Sequence, residues 1–117
     1  MNIYTDGHPL GLNGQGGLFA NSGYTLVQLS RTERRHLRYK KPRLTNNEAE
    51  IVAIIHAAAL ASTDDTILSD SRIAINYVLR GGGKLERLAF LAEIAKSIVE
   101  EKQLKLQWIP REENPVT

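Results

Sequence analysis

The sequence predicts an α/β fold: a five-stranded mixed sheet, an antiparallel meander plus parallel strands, flanked by helices. Three observations lead there. Short β-type runs fall near residues 2–5, 24–29, 34–40, 66–69 and 104–108. The first three follow one another directly, as hairpin partners do, whereas a helix-periodic segment separates the third from the fourth, as a parallel crossover requires. The chain has 117 residues, 42% of them hydrophobic and 24% charged. That suits one domain over residues 1–117 with one core.

The first run, from Asn2 to Thr5, ends on Asp6-Gly7, and the stretch after it holds Gly11, Gly14, Gly16 and Gly17, which is turn chemistry. The third run stops at Pro42. Thr45-Asn46-Asn47-Glu48 then reads as a capping box, with Thr45 bonding first-turn amides and Glu48 reaching back. Ile51, Ile54, Ile55 and Ala58 continue it at helical spacing. The fourth run ends on a second acid, Asp70. A short helix follows through Ile73, Tyr77 and Val78 and stops at Gly81-Gly82-Gly83. Leu85, Leu88, Leu91, Ile94 and Ile98 outline the apolar face of a further helix. Leu104, Leu106 and Trp108 alternate with Lys105 and Gln107, so Trp108 is expected in the core. If the first and fourth strands lie side by side in parallel, Asp6 and Asp70 become neighbours at their carboxyl ends, where open α/β sheets place their sites.

Several function classes are excluded. The richest apolar run, residues 51–61, is too short to span a bilayer and is broken by His56. The N-terminus lacks the basic-then-apolar layout of a signal peptide. A cytoplasmic location without membrane attachment fits these features; no protein partner is inferred, and a monomer is expected. With no cysteine there is neither a disulfide framework nor a thiolate metal site. Gly81-Gly82-Gly83-Lys84 is followed by Leu85 where a phosphate loop needs Ser or Thr. His8, His36 and His56 have no metal-like spacing. Net charge is only +2, but Arg31, Arg34, Arg35, Arg38, Lys40, Lys41 and Arg43 face Glu33 alone. Such a stripe can track a phosphate backbone or simply guard an edge strand against aggregation.

Four pieces in order carry a resemblance: Tyr4-Thr5-Asp6-Gly7 with Leu10-Gly11 and Gly14-x-Gly16-Gly17; Thr45-Asn46-Asn47-x-Ala49-Glu50; Ser69-Asp70-Ser71; and Trp108-Ile109-Pro110-Arg111-Glu112-Glu113-Asn114. Together they resemble the ribonuclease H family, type 1, in its bacterial and archaeal form. The resemblance implies an endonuclease that hydrolyses the RNA strand of RNA/DNA hybrids and leaves 5′-phosphate and 3′-hydroxyl ends. It implies Asp6, Glu50 and Asp70 as catalytic metal ligands for Mg²⁺ or Mn²⁺, with two ions when substrate is bound. Carboxylates suit hard divalent ions, which activate water and stabilise the departing oxygen. Glu48 competes with Glu50 on sequence, but Glu48 already has the capping role, and Glu50 lies two residues further round the helix.

Substrate contacts are implied at Gly7, Asn13, Asn46, Asn47, Ser71 and Arg111. Leu12-Asn13 stands where many relatives have Asn-Pro, so Asn13 takes that contact one position late or the contact is lost. Asn46 and Asn47 read equally well as helix-capping residues. Relatives continue past Asn114 with N-x-x-A-D and a terminal helix, and that Asp would fall one residue beyond Thr117. Asn114 through its amide oxygen, or Glu112 or Glu113, is then a candidate fourth ligand. Otherwise the site is incomplete and activity impaired. The alternative function is a ribonuclease H-fold nucleic-acid-binding module with weak or lost catalysis; it predicts hybrid binding without metal-dependent cleavage.

Overall fold

The computed structural model describes residues 2–8, 22–29, 33–40, 46–80 and 86–115. Five strands form one sheet: β1 (Asn2–His8), β2 (Ser22–Leu29), β3 (Glu33–Lys40), β4 (Thr66–Ser69) and β5 (Lys105–Trp108), in the order β3-β2-β1-β4-β5. β1 pairs antiparallel with β2, and β2 antiparallel with β3. β1 pairs in parallel with β4, and β4 in parallel with β5. β1 extends through Asp6-Gly7 to His8 rather than stopping at Thr5, because Asp6, Gly7 and His8 keep pairing with Leu26, Thr25 and Tyr24. The basic stripe falls on and around β3, whose side chains lie outside the described residues.

Three helices complete the described chain: α1 (Asn46–Leu60), α2 (Arg72–Arg80) and α3 (Glu86–Glu101), with a 3-10 turn at Arg111–Glu113. α1 lies across β1, β2 and β4, α3 packs on α1 and α2, and α2 reaches β5. α1 is therefore buried on more than one face. Ala49, Ile51, Ala53, Ile54, Ala57 and Ala58 are all fully buried. Ile3 and Ile67 meet this helix from the sheet, and Leu88, Ala92, Ala95 and Val99 meet it from α3. The buried stripe of α3 thus differs from the expected one: Ile94 is 39% exposed, and alanines fill the inward positions where α3 packs closely. Among the described residues no helix is long and apolar enough to cross a membrane.

Two local devices hold the helix ends. α3 finishes in a paired 6→1 and 5→2 arrangement: Leu104 N–H donates to Val99 O (2.9 Å) and Gln103 N–H to Glu100 O (3.2 Å). This requires Gln103 in the left-handed region, at φ 54. The Lys102 ammonium donates to the carbonyls of Ala58, Ala59 and Ala61 at 2.8, 3.0 and 2.9 Å, satisfying the end of α1. The expected start of α1 is only half visible, since Thr45 lies outside the described residues, as does the Gly81-Gly82-Gly83 stop.

Candidate metal centre

Parallel pairing of β1 with β4 sets Tyr4 beside Leu68, so the chain leaves both strands toward the same edge. Thr5 Oγ1 donates to Leu68 O across this pair, at 3.1 Å and fully buried. Asp6 on β1 and Asp70 just past β4 become neighbours in consequence. The third acid arrives on α1, which crosses β1 at Gly7. A Cβ at Gly7 would collide with the carbonyl of Ala49, so only glycine lets the helix approach this closely. At that crossing Gly7 N–H donates to Glu50 Oε1 (3.2 Å) and turns its carboxylate toward the strand ends. One oxygen each from Asp6, Glu50 and Asp70 lies within 4.8 Å of the others.

Glu48 is not in this group, although it too is buried, at 2% exposure. Glu48, expected as the acid of the capping box, is thus buried in the first turn of α1.

The electrostatics of the trio are those of crowded acids. Glu50 is pushed up from 4.5 to about 9, first by burial and next by the charge of Asp6. Its Oε2 is buried and, among the described residues, meets no hydrogen-bond donor. Three convergent oxygen ligands, with a buried carboxylate oxygen lacking a donor, fit a hard divalent cation. A cation there would supply positive charge among these acids.

The remaining candidates divide. Asn114 is buried close by, but its amide nitrogen is what faces the site. Nδ2 donates to Thr5 O at 2.9 Å and lies 3.5 Å from Asp70 Oδ2. Turning the amide over would set its oxygen against two acceptors, so the expected amide-oxygen ligand at Asn114 does not hold in this arrangement. Ser71 caps α2, its Oγ accepting from Ala74 N–H (3.1 Å). Its hydroxyl proton remains available to donate. Asn47 is half-buried in the first turn of α1, and Arg111 is exposed on the 3-10 turn with Glu112 and Glu113. Asn13 and the side chain of Asn46 lie outside the described residues. Gly7 serves packing and orients Glu50, whatever else it contacts.

One feature at this edge was not anticipated. Trp108 is 37% exposed rather than part of the core, and the Arg72 guanidinium sits over its ring at 4.0 Å from the centroid. Its indole N–H donates to Asp70 O at 3.1 Å. The signal was present in the register, because parallel pairing of β4 with β5 places Trp108 opposite Ser69, next to Asp70.

Solved structures share this architecture. The N-terminal RNase H domain of a Mycobacterium tuberculosis protein, solved as a maltose-binding-protein fusion, matches with a TM-score of 0.71 and 21% identity, covering 99% of this chain and 91% of its own. RNase H1 from the halophilic archaeon Halobacterium salinarum matches with a TM-score of 0.66 and 16% identity, covering 99% and 89%. LC11-RNase H1, crystallised in complex with an RNA/DNA hybrid, matches with a TM-score of 0.64 and 21% identity, covering 97% and 88%. At these identities the likeness establishes the fold. No curated protein sequence matches the chain. The family model for RNase H matches residues 1–112, from the first strand to the 3-10 turn, and the chain belongs to the RNase H family.

Proposed function

We propose that the chain is a metal-dependent endonuclease that hydrolyses the RNA strand of RNA/DNA hybrids, leaving 5′-phosphate and 3′-hydroxyl ends. The observation that carries this reading is the convergence of Asp6, Glu50 and Asp70 oxygens within 4.8 Å, in a chain of this family. Asp6, Glu50 and Asp70 are the residues that would hold Mg²⁺ or Mn²⁺, two ions with substrate bound. Bound there, divalent metal lowers the pKa of water and stabilises the charge on the departing oxygen.

The chain's own residues do the placing. Gly7 N–H fixes one oxygen of Glu50 and leaves the other for the cation. The edge beside Asp70 carries Ser71, with a hydroxyl proton to donate, and Asn47 stands at the start of α1. With Asn13, Asn46, Gly7 and Arg111 these are the proposed substrate contacts. RNA would be told from DNA by donors and acceptors that read the 2′-hydroxyl. Three carboxylates among the described residues favour Mn²⁺ over the more strongly hydrated Mg²⁺. A cytoplasmic monomer acting on nucleic acid alone is the simplest setting for this chemistry.

The test compares end-labelled RNA in three settings, paired with DNA, single-stranded and paired with RNA, beside an end-labelled all-DNA duplex as control, each with Mg²⁺, Mn²⁺ or EDTA. The proposal predicts metal-dependent cleavage of the hybrid RNA alone, with 5′-phosphate products. Tight binding of the hybrid without cleavage in either metal would replace it with the binding-module reading.

A further inference from the structure

Resting on the metal-site reading above, we infer that Asn114 and Trp108 are positioning residues that set the placement of Asp70 against Asp6. The parallel ladder of β1 and β4 runs to Tyr4 and Leu68, and the Thr5 hydroxyl extends it by one residue, just before Asp6. Past that point each strand leads to a carboxylate that repels the others. The end of β5 and the residue that closes the following 3-10 turn bring side-chain donors to the same gap.

Asn114 Nδ2, buried, donates to Thr5 O on one strand and approaches Asp70 Oδ2 beyond the other. One amide nitrogen thus touches the backbone leading into Asp6 and the carboxylate of Asp70. Trp108 holds Asp70 from the opposite end, its indole N–H meeting the Asp70 carbonyl. The ring is kept in place by Arg72, whose guanidinium covers its face two residues after Asp70. Asp70 is therefore gripped at its backbone and its carboxylate by two residues of one short segment. That segment is itself anchored by Ile109 N–H to Ser69 O (3.0 Å) and Asn114 N–H to Arg111 O (3.1 Å). Donors that orient ligand carboxylates raise metal affinity without touching the metal.

The test is Mn²⁺ titration of the full chain, read by loss of the free-ion EPR signal, beside thermal unfolding of the same samples in EDTA. Asn114→Ala removes the amide donor. Trp108→Phe keeps a ring under Arg72 and removes only the N–H. The expected result is a Kd for Mn²⁺ raised about 10-fold in Asn114→Ala and a smaller rise in Trp108→Phe. Kd values within twofold of wild type, whatever happens to Tm, would overturn the inference. If Asn114→Ala fails to fold, Trp108→Phe decides alone, since its side chain is partly exposed. Asp70→Asn separates the two levels of the account. If it binds Mn²⁺ as wild type does, the metal-site reading fails and this inference with it. If it loses binding while Asn114→Ala and Trp108→Phe keep theirs, the inference alone fails.

Discussion

Replacing Glu50 by Gln should stabilise the metal-free protein while removing its response to metal. The magnitude follows from burial and from the crowding of the acids. The Asp6 and Glu50 carboxylates bring oxygens within 4.8 Å of each other, and two unit charges at that limit repel by about 3 kcal/mol at an effective dielectric of 20. That repulsion adds to the larger effect of burial, and together they push Glu50 up from an ordinary 4.5 to about 9. At pH 7 folding must therefore take up a proton, at about 1.4 kcal/mol per pH unit above the unfolded value, which comes to about 3 kcal/mol. The sign follows from the raised value. The contribution of Glu50 is fully present below pH 4.5 and is lost as pH rises toward 9. Gln removes that loss and keeps an oxygen for the Gly7 amide. In EDTA at neutral pH, Glu50→Gln should melt higher by on the order of 10 °C, and its Tm should change less with pH between 5 and 9. Adding Mn²⁺ should raise the Tm of wild type, with release of a proton, and leave the variant nearly unmoved. A variant that melts at or below wild type in EDTA and still gains stability from Mn²⁺ would refute the reasoning.

Three further outcomes test the frame that holds the site. Gly7→Ala should cost about 3 kcal/mol or more in urea unfolding, because the added methyl meets the Ala49 carbonyl where α1 crosses β1; a loss below 1 kcal/mol would mean the helix can shift freely there. Gln103→Gly should raise stability by about 0.5–1 kcal/mol, since Gln103 holds a positive φ at the end of α3. Lys102→Met, which keeps the chain length and removes three donors to the end of α1, should lower stability by about 2 kcal/mol. No loss in Lys102→Met would show that water satisfies those carbonyls equally well.

Much of this site was legible in the sequence because its logic is local. Acids at the ends of two β-type runs, separated by a crossover helix, become neighbours once the runs pair in parallel, as β1 and β4 do. Glu50 was separable from Glu48 by helical rotation, and the structure groups Glu50, not Glu48, with Asp6 and Asp70. What stayed hidden depends on contacts between distant segments. Asn114 looked like an oxygen ligand because a sequence cannot say which end of an amide faces inward; acceptors at Thr5 and Asp70 decide that. Trp108 looked like core because alternation gives the face of a strand but not where the covering helix ends, and α2 begins beside it with Arg72. The inward face of α3 was misread through Ile94 because close helix packing selects Ala92 and Ala95, which a search for large apolar residues overlooks.

The most direct measurement is the single-turnover rate of hybrid cleavage in Mn²⁺ for wild type and for Asp6→Asn, Glu50→Gln and Asp70→Asn, with folding verified for each. The account predicts cleavage by wild type that stops in EDTA and falls by orders of magnitude in all three variants, since each removes an anionic ligand from one shared site. Cleavage that survives in any of the three at a rate near wild type, or that proceeds without divalent metal, would contradict it.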